Sequence, residues 1–111
     1  MVAIFKKPPD PAAFDKYYET VHKPLAAKIP RVVEYRTSKV YGSVKGDCPY
    51  YFMAELCFNS KEDLEAALGS PESVAAGRDV RNFAKNLVER FFIEDAFVPA
   101  GRKVWPWKDE G

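Results

Sequence analysis

YYETVHKPLAAKIP, residues 17–30, holds the only histidine of the chain, His22, and sets Pro24 inside an amphipathic helix. At 3.6 residues per turn, Phe14, Tyr18, Val21, Leu25 and Ile29 share one face, and His22 falls at its edge, one turn beyond Tyr18. Pro24 has no N–H, so the Thr20 carbonyl loses its helical partner and the helix is expected to kink there. A group that titrates near neutrality therefore sits at the border of a buried face.

The flanks of this stretch supply the other elements. Upstream, the short apolar run Val2 to Lys6 reads as a buried strand. Asp10 is placed to cap the helix with Pro11 at its first position, and the helix runs to about Lys28, where Pro30 ends it. Downstream, Val32 to Tyr41 alternates at period 2, and Tyr50 to Phe58 is apolar on both faces. The two pair as a hairpin across the glycine-containing loop from Tyr41 to Pro49. Setting Arg36 opposite Glu55 places Tyr35 on one face with Phe52, Ala54, Leu56 and Phe58. Ser60 opens a short helix that Gly69 closes. Ser70 and Pro71 open another, running to about Lys85, with Ala76, Val80, Phe83 and Ala84 inward. Leu87 to Glu94 returns to strand character.

The order β-α-β-β-α-β predicts an α+β, ferredoxin-like fold: a four-stranded antiparallel sheet with helices on one face. One such domain is expected over residues 1–97, followed by a tail over 98–111 that carries Trp105 and Trp107. The other sheet face would be bare, with Tyr51, Met53 and Cys57 beside Arg36 and Glu55. An exposed patch of this kind predicts a homodimer packed sheet against sheet.

Composition narrows the function. The chain has 111 residues, 47% of them hydrophobic and 14% aromatic, which suits one folded domain with a dense core or an aromatic-lined pocket. Seventeen basic against sixteen acidic residues form no basic stripe, so no nucleic acid partner is expected. No apolar run approaches the roughly 20 residues that span a bilayer. The first residues do not read as a signal peptide, and two cysteines make no disulfide framework, so a cytoplasmic protein is expected. A single histidine without clustered carboxylates or cysteines argues against a protein-ligated zinc, and no phosphate loop or nucleophile elbow is present.

Taken together, YYETVHKPLAAKIP, the strand VVEYRTSKV, the segment PYYFMAELCFNSKEDLEAAL and the helix SPESVAAGRDVRNFA resemble an EthD-type protein of the dimeric α/β-barrel superfamily. The resemblance spans Phe5 to about Phe92. Its most telling piece is His-Lys-Pro-Leu-Ala at residues 22–26. One position departs: Arg31 stands where the family often has glycine. The resemblance implies a homodimer whose sheets form a barrel, with a cleft in each subunit between sheet and helices. Superfamily relatives include lactone isomerases, polyketide cyclases, cofactor-free monooxygenases of phenolic substrates and haem-degrading enzymes, so the fold carries over further than the reaction.

His22 is the candidate catalytic residue, an acid/base able to deprotonate a phenol or an acidic C–H. The competing role is a packing histidine bonded to a backbone carbonyl freed by Pro24. Tyr18, Tyr35, Thr37, Phe52 and Phe83 are candidate walls of an apolar pocket for a hydrophobic, aromatic or polyketide-like molecule. Aromatics at such positions also build plain cores, and that reading is favoured for Phe52. Arg36 and Glu55 read as interface residues, and Asn82 as a helix-surface residue. No cofactor is expected, with haem on His22 a minor alternative. The leading expectation is a cofactor-independent oxygenase, isomerase or cyclase. The other is a non-catalytic carrier of an apolar metabolite or of haem for a partner enzyme.

Overall fold

The computed structural model of the chain describes residues 1–96. The expected tail, with Trp105 and Trp107, lies outside them. The elements are β1 (Val2–Lys6), α1 (Pro11–Tyr17), a π-helical turn (Tyr18–His22), α2 (Lys23–Ala26), β2 (Glu34–Lys39), β3 (Tyr50–Cys57), α3 (Lys61–Leu68), α4 (Pro71–Phe83) and β4 (Val88–Phe91). The four strands form one antiparallel sheet in the order β2-β3-β1-β4. This is the ferredoxin-like arrangement expected from the order of elements.

Local chemistry explains the boundaries. The Asp10 carboxylate accepts the Ala13 N–H, Ser60 accepts that of Asp63, and Ser70 accepts that of Ser73. Each cap satisfies an amide that the first helical turn leaves without a partner. Arg36 pairs with Glu55 in the β2–β3 register, and its guanidinium lies 3.6 Å from the Glu55 carboxylate. That register places the apolar side chains of β3 under the helices, where Phe52, Ala54 and Leu56 are buried.

Two expectations are corrected. The first concerns the helix face. Phe14, Tyr18, His22, Ala26 and Ile29 are buried, whereas Val21 is 39% exposed and Leu25 only half-buried. The π turn is the cause. The Lys23 N–H reaches back five residues to the Tyr18 carbonyl, adding one residue to that turn. The wider turn moves His22 from the border of the face into its centre. It lies immediately before Pro24, whose ring would crowd the Thr20 carbonyl in a regular α-helix. The chain thus absorbs the proline by widening a turn, and α2 begins afresh with Pro24 in its first turn.

The second correction is Tyr51. It was placed on the bare sheet face, yet its ring meets Phe14 edge-on at 5.7 Å and its hydroxyl donates to Asp15 of α1 at 2.8 Å. The β1–β3 register slips between Phe5 and Lys6, which pair with Phe52 and Tyr50. Tyr51 is the extra residue of that bulge, and a bulge re-aims a side chain. Val2, Ile4, Met53 and Cys57 remain half-buried on the face away from the helices, and Phe91 is 47% exposed.

Arg31 has a φ of 66°, the left-handed conformation that glycine adopts without strain. A non-glycine residue there costs about 1–2 kcal/mol. Its guanidinium meets the Asp63 carboxylate at 2.7 Å, an exposed pair that offsets only part of that cost. The turn forms without glycine.

Candidate active site

The core between sheet and helices consists of two clusters. One gathers Phe5, Phe14, Tyr18, Phe52 and Val80; the other gathers Ala26, Ile29, Leu56, Ala67 and Ala76. A cavity of about 90 Å³ lies at their seam. Ala3, Ala26, Ala54, Ala76 and Gly77 stand on its walls. These small side chains, contributed by two strands and two helices, leave the space that leucines would fill. Phe5, Tyr18, His22, Tyr35 and Arg90 also line it.

His22 is 7% exposed. Its Nδ1 lies 3.0 Å from Oδ2 of Asp79, which is equally buried on α4. The other carboxylate oxygen of Asp79, Oδ1, accepts the Tyr17 hydroxyl at 2.6 Å and the Asn82 amide at 3.0 Å. Burial by itself would raise the Asp79 pKa, but the hydrogen bonds from Tyr17, Asn82 and His22 outweigh it and hold the pKa below the ordinary 3.8. Asp79 is therefore ionised at neutral pH and can only accept. It follows that His22 Nδ1 carries the proton. In the neutral imidazole Nε2 is then a bare lone pair, with no protein hydrogen bond among the described residues. Asp79 is not part of the cavity wall, whereas His22 is. The histidine thus presents its basic nitrogen on the side away from its carboxylate.

Burial lowers the His22 pKa below its ordinary 6.5. Asp79 opposes this, and the Arg90 charge adds to it. His22 is a neutral base at pH 7. Tyr18 and Tyr35 are hydrogen-bonded hydroxyl to hydroxyl, and burial raises the pKa of both. They stay protonated and offer a polar point on the wall they share with His22.

These directions fix a pH dependence of stability. Between the folded pKa of His22 and 6.5, the unfolded chain binds the proton that the folded chain refuses, so stability falls as pH falls through that window and then levels. The Asp79 contribution is full above 3.8 and is lost only as pH drops through its lower folded value. Thermal melts at about pH 7.5 and about pH 5 should show the lower melting temperature at the acid value, and His22→Gln should flatten that difference.

The other expected site residues sit as follows. Phe83 packs on the His22 ring at 4.8 Å and Phe52 on the Tyr18 ring at 4.5 Å. Both support the site rings without lining the cavity. Thr37 is exposed on β2 and stands apart from the cavity. Asn82, read as a helix-surface residue, orients Asp79. Asp79 itself was missed, although a signal existed: it stands three residues after Ala76 and four before Phe83, on the inward face of α4. Among the described residues no group of three or more His, Cys, Asp or Glu side chains could hold a metal ion. No helix among the described residues is long and apolar enough to cross a membrane.

Fold and site together define a ferredoxin-like α+β protein with a buried histidine–aspartate pair on the wall of an apolar cavity. The chain belongs to the EthD family, whose domain model matches residues 6–86. It is 38% identical over 96 residues to an 11.0 kDa protein of the thcB–thcC intergenic region of Rhodococcus erythropolis, covering 86% of this chain and 92% of that protein. An EthD (ethyl tert-butyl ether) family protein of Bacillus halodurans has a similar crystal structure, with a TM-score of 0.81 at 32% identity over 86% of this chain and 95% of that one. The fold is shared at 16% identity and a TM-score of 0.58 with SnoaB of Streptomyces nogalater, a cofactor-independent oxygenase, over 86% of this chain and 92% of that one.

Proposed function

We propose that the protein is a small cofactor-independent enzyme in which His22 removes a proton from a phenol or an acidic C–H of a hydrophobic molecule. The carrying observation is the buried His22–Asp79 pair, which turns a bare Nε2 away from the carboxylate on a ring that lines the cavity. Proton removal is the first step common to isomerisation, cyclisation and cofactor-free oxygenation. The C–H bond breaks, its electrons pass to the neighbouring carbonyl or ring, and Nε2 takes the proton. The resulting imidazolium is stabilised by the Asp79 carboxylate. Tyr18 and Tyr35 hold the reacting group by their hydroxyls. The cavity takes one chain end or part of a ring, so a polyketide-sized molecule would leave most of its body outside.

The active form in this reading is a cytoplasmic homodimer joined through the open sheet face. Val2, Ile4, Met53, Cys57 and Phe91 give that face an apolar character suited to a second copy. A wider cleft of about 420 Å³, lined by Arg36, Glu55 and Cys57 among others, opens at the same side. It contains no histidine, and a covering partner would close it.

Deuterium uptake tests the reading without knowledge of the natural substrate. A panel of small aryl ketones and 1,3-dicarbonyl compounds in D₂O should include members whose acidic C–H exchanges faster with the protein than without it. The rate should rise with pH through one transition below 6.5, that of His22. Binding without exchange across the panel would leave the carrier role instead.

A further inference from the structure

Arg90 takes no part in the proton transfer, yet it stands on the cavity wall with His22. It lies on β4, an edge strand of the sheet, and pairs across the ladder with Ala3, another wall residue. Its guanidinium reaches to 3.9 Å from the point where a Cβ on Gly77 would stand. A Cβ at position 77 would meet it at ordinary van der Waals distance. Among the described residues no carboxylate pairs with Arg90, in contrast to Arg31 and Arg36. The side chain is exposed, so its charged head sits at the rim while its stem runs past apolar wall. The charge is close enough to His22 to disfavour its protonation.

We infer that Arg90 is the anion anchor of the His22 cavity, and that the substrate is a small apolar acid whose hydrocarbon end enters the cavity while its carboxylate meets the guanidinium at the rim. This rests on the reading of His22 as the base. A planar guanidinium matches a carboxylate in a two-point fork, which fixes orientation as well as affinity. The pairing has a second effect. A bound carboxylate cancels the Arg90 charge, so Nε2 becomes a better proton acceptor once the substrate is seated. The base is strengthened by the molecule on which it acts.

Benzoate and its neutral isostere benzamide are the probes. His22 is the only histidine, so in the untagged protein one imidazole resonance reports the cavity. Wild type should bind benzoate roughly tenfold more tightly than benzamide, as expected for hydrogen bonds to a charged group. Benzoate, but not benzamide, should raise the pH at which His22 titrates. Arg90→Gln should remove both effects and leave benzamide binding unchanged. Arg90→Lys, which keeps the charge and loses the fork, should retain part of the preference. Equal affinities in wild type, no binding of either probe, or a preference that survives Arg90→Gln would overturn the anchor. Binding and turnover separate here: a benzoate preference with no deuterium exchange keeps the anchor and removes the catalytic reading, and exchange with no preference does the reverse.

Discussion

Asp79→Asn should lower the deuterium exchange proposed for His22 by about 10²- to 10⁴-fold, as much as general-base catalysis contributes. The carboxylate accepts three hydrogen bonds, from Tyr17, Asn82 and His22. An amide of the same shape has one oxygen and one NH₂. If the oxygen stays with Tyr17 and Asn82, the NH₂ faces His22 Nδ1, which must then accept. The imidazole proton moves to Nε2 and the base is lost. If the amide flips, the Tyr17 and Asn82 donors meet an NH₂ instead. His22→Ala should cost about the same, and the double variant little more than either single one, because the two residues act as a unit. Asp79→Ala should also destabilise the fold, by about 1–3 kcal/mol, since it leaves the buried Nδ1–H without an acceptor. Exchange rates on folded variants, checked by circular dichroism, decide the matter. Additive losses would show that Asp79 acts elsewhere than through His22.

The second large effect belongs to the core. Phe5 is 1% exposed, and its ring meets those of Phe14, Tyr18, Phe52 and Phe83 at 5.4 to 6.1 Å. Phe5→Ala should cost about 3–5 kcal/mol, from lost burial and from the space left behind. For a domain of this size that is a large share of a total near 5–15 kcal/mol. Melting should fall by roughly 10–25 °C. Phe5 also lines the cavity beside His22, so the removed ring enlarges that cavity. Benzene should therefore recover part of the lost melting temperature in the variant and change wild type less. A fall of only one or two degrees would mean that the ring cluster is not the keystone of the fold.

The fold was legible because its signals are redundant. Aspartate and serine caps, two of them followed by proline, fix three helix starts, and setting Arg36 opposite Glu55 gathers the apolar side chains of β2 and β3 on one face, the register observed. The site was legible in part. His22 stands out as a lone histidine, but its true position depends on the π turn, and a 3.6-residue period misplaces it by one residue. That misplacement exchanges Val21 and Leu25 for His22 and Ala26 on the buried face. The spacing of Asp79 from Ala76 and Phe83 puts it on the inward face of α4, but a polar residue between Ala76 and Val80 reads as surface unless a partner across the core is known. The place of Arg90 on the cavity wall has no local signature either, since an arginine on a short edge strand reads as surface. The cavity left no motif either. It is built by alanines and a glycine from separate elements, and what they share is smallness. Tyr51 defeated a strict period of two because a bulge inserts one residue, which alternation cannot anticipate.

The measurement closest to the central claim is the ¹⁵N and ¹H NMR titration of the single imidazole. The expected result is a neutral ring protonated on Nδ1, bare on Nε2, titrating once and below 6.5. A ring protonated on Nε2 at neutral pH, or one that titrates above 6.5, would contradict it, because His22 would then be a structural partner of Asp79 with no base to offer the cavity.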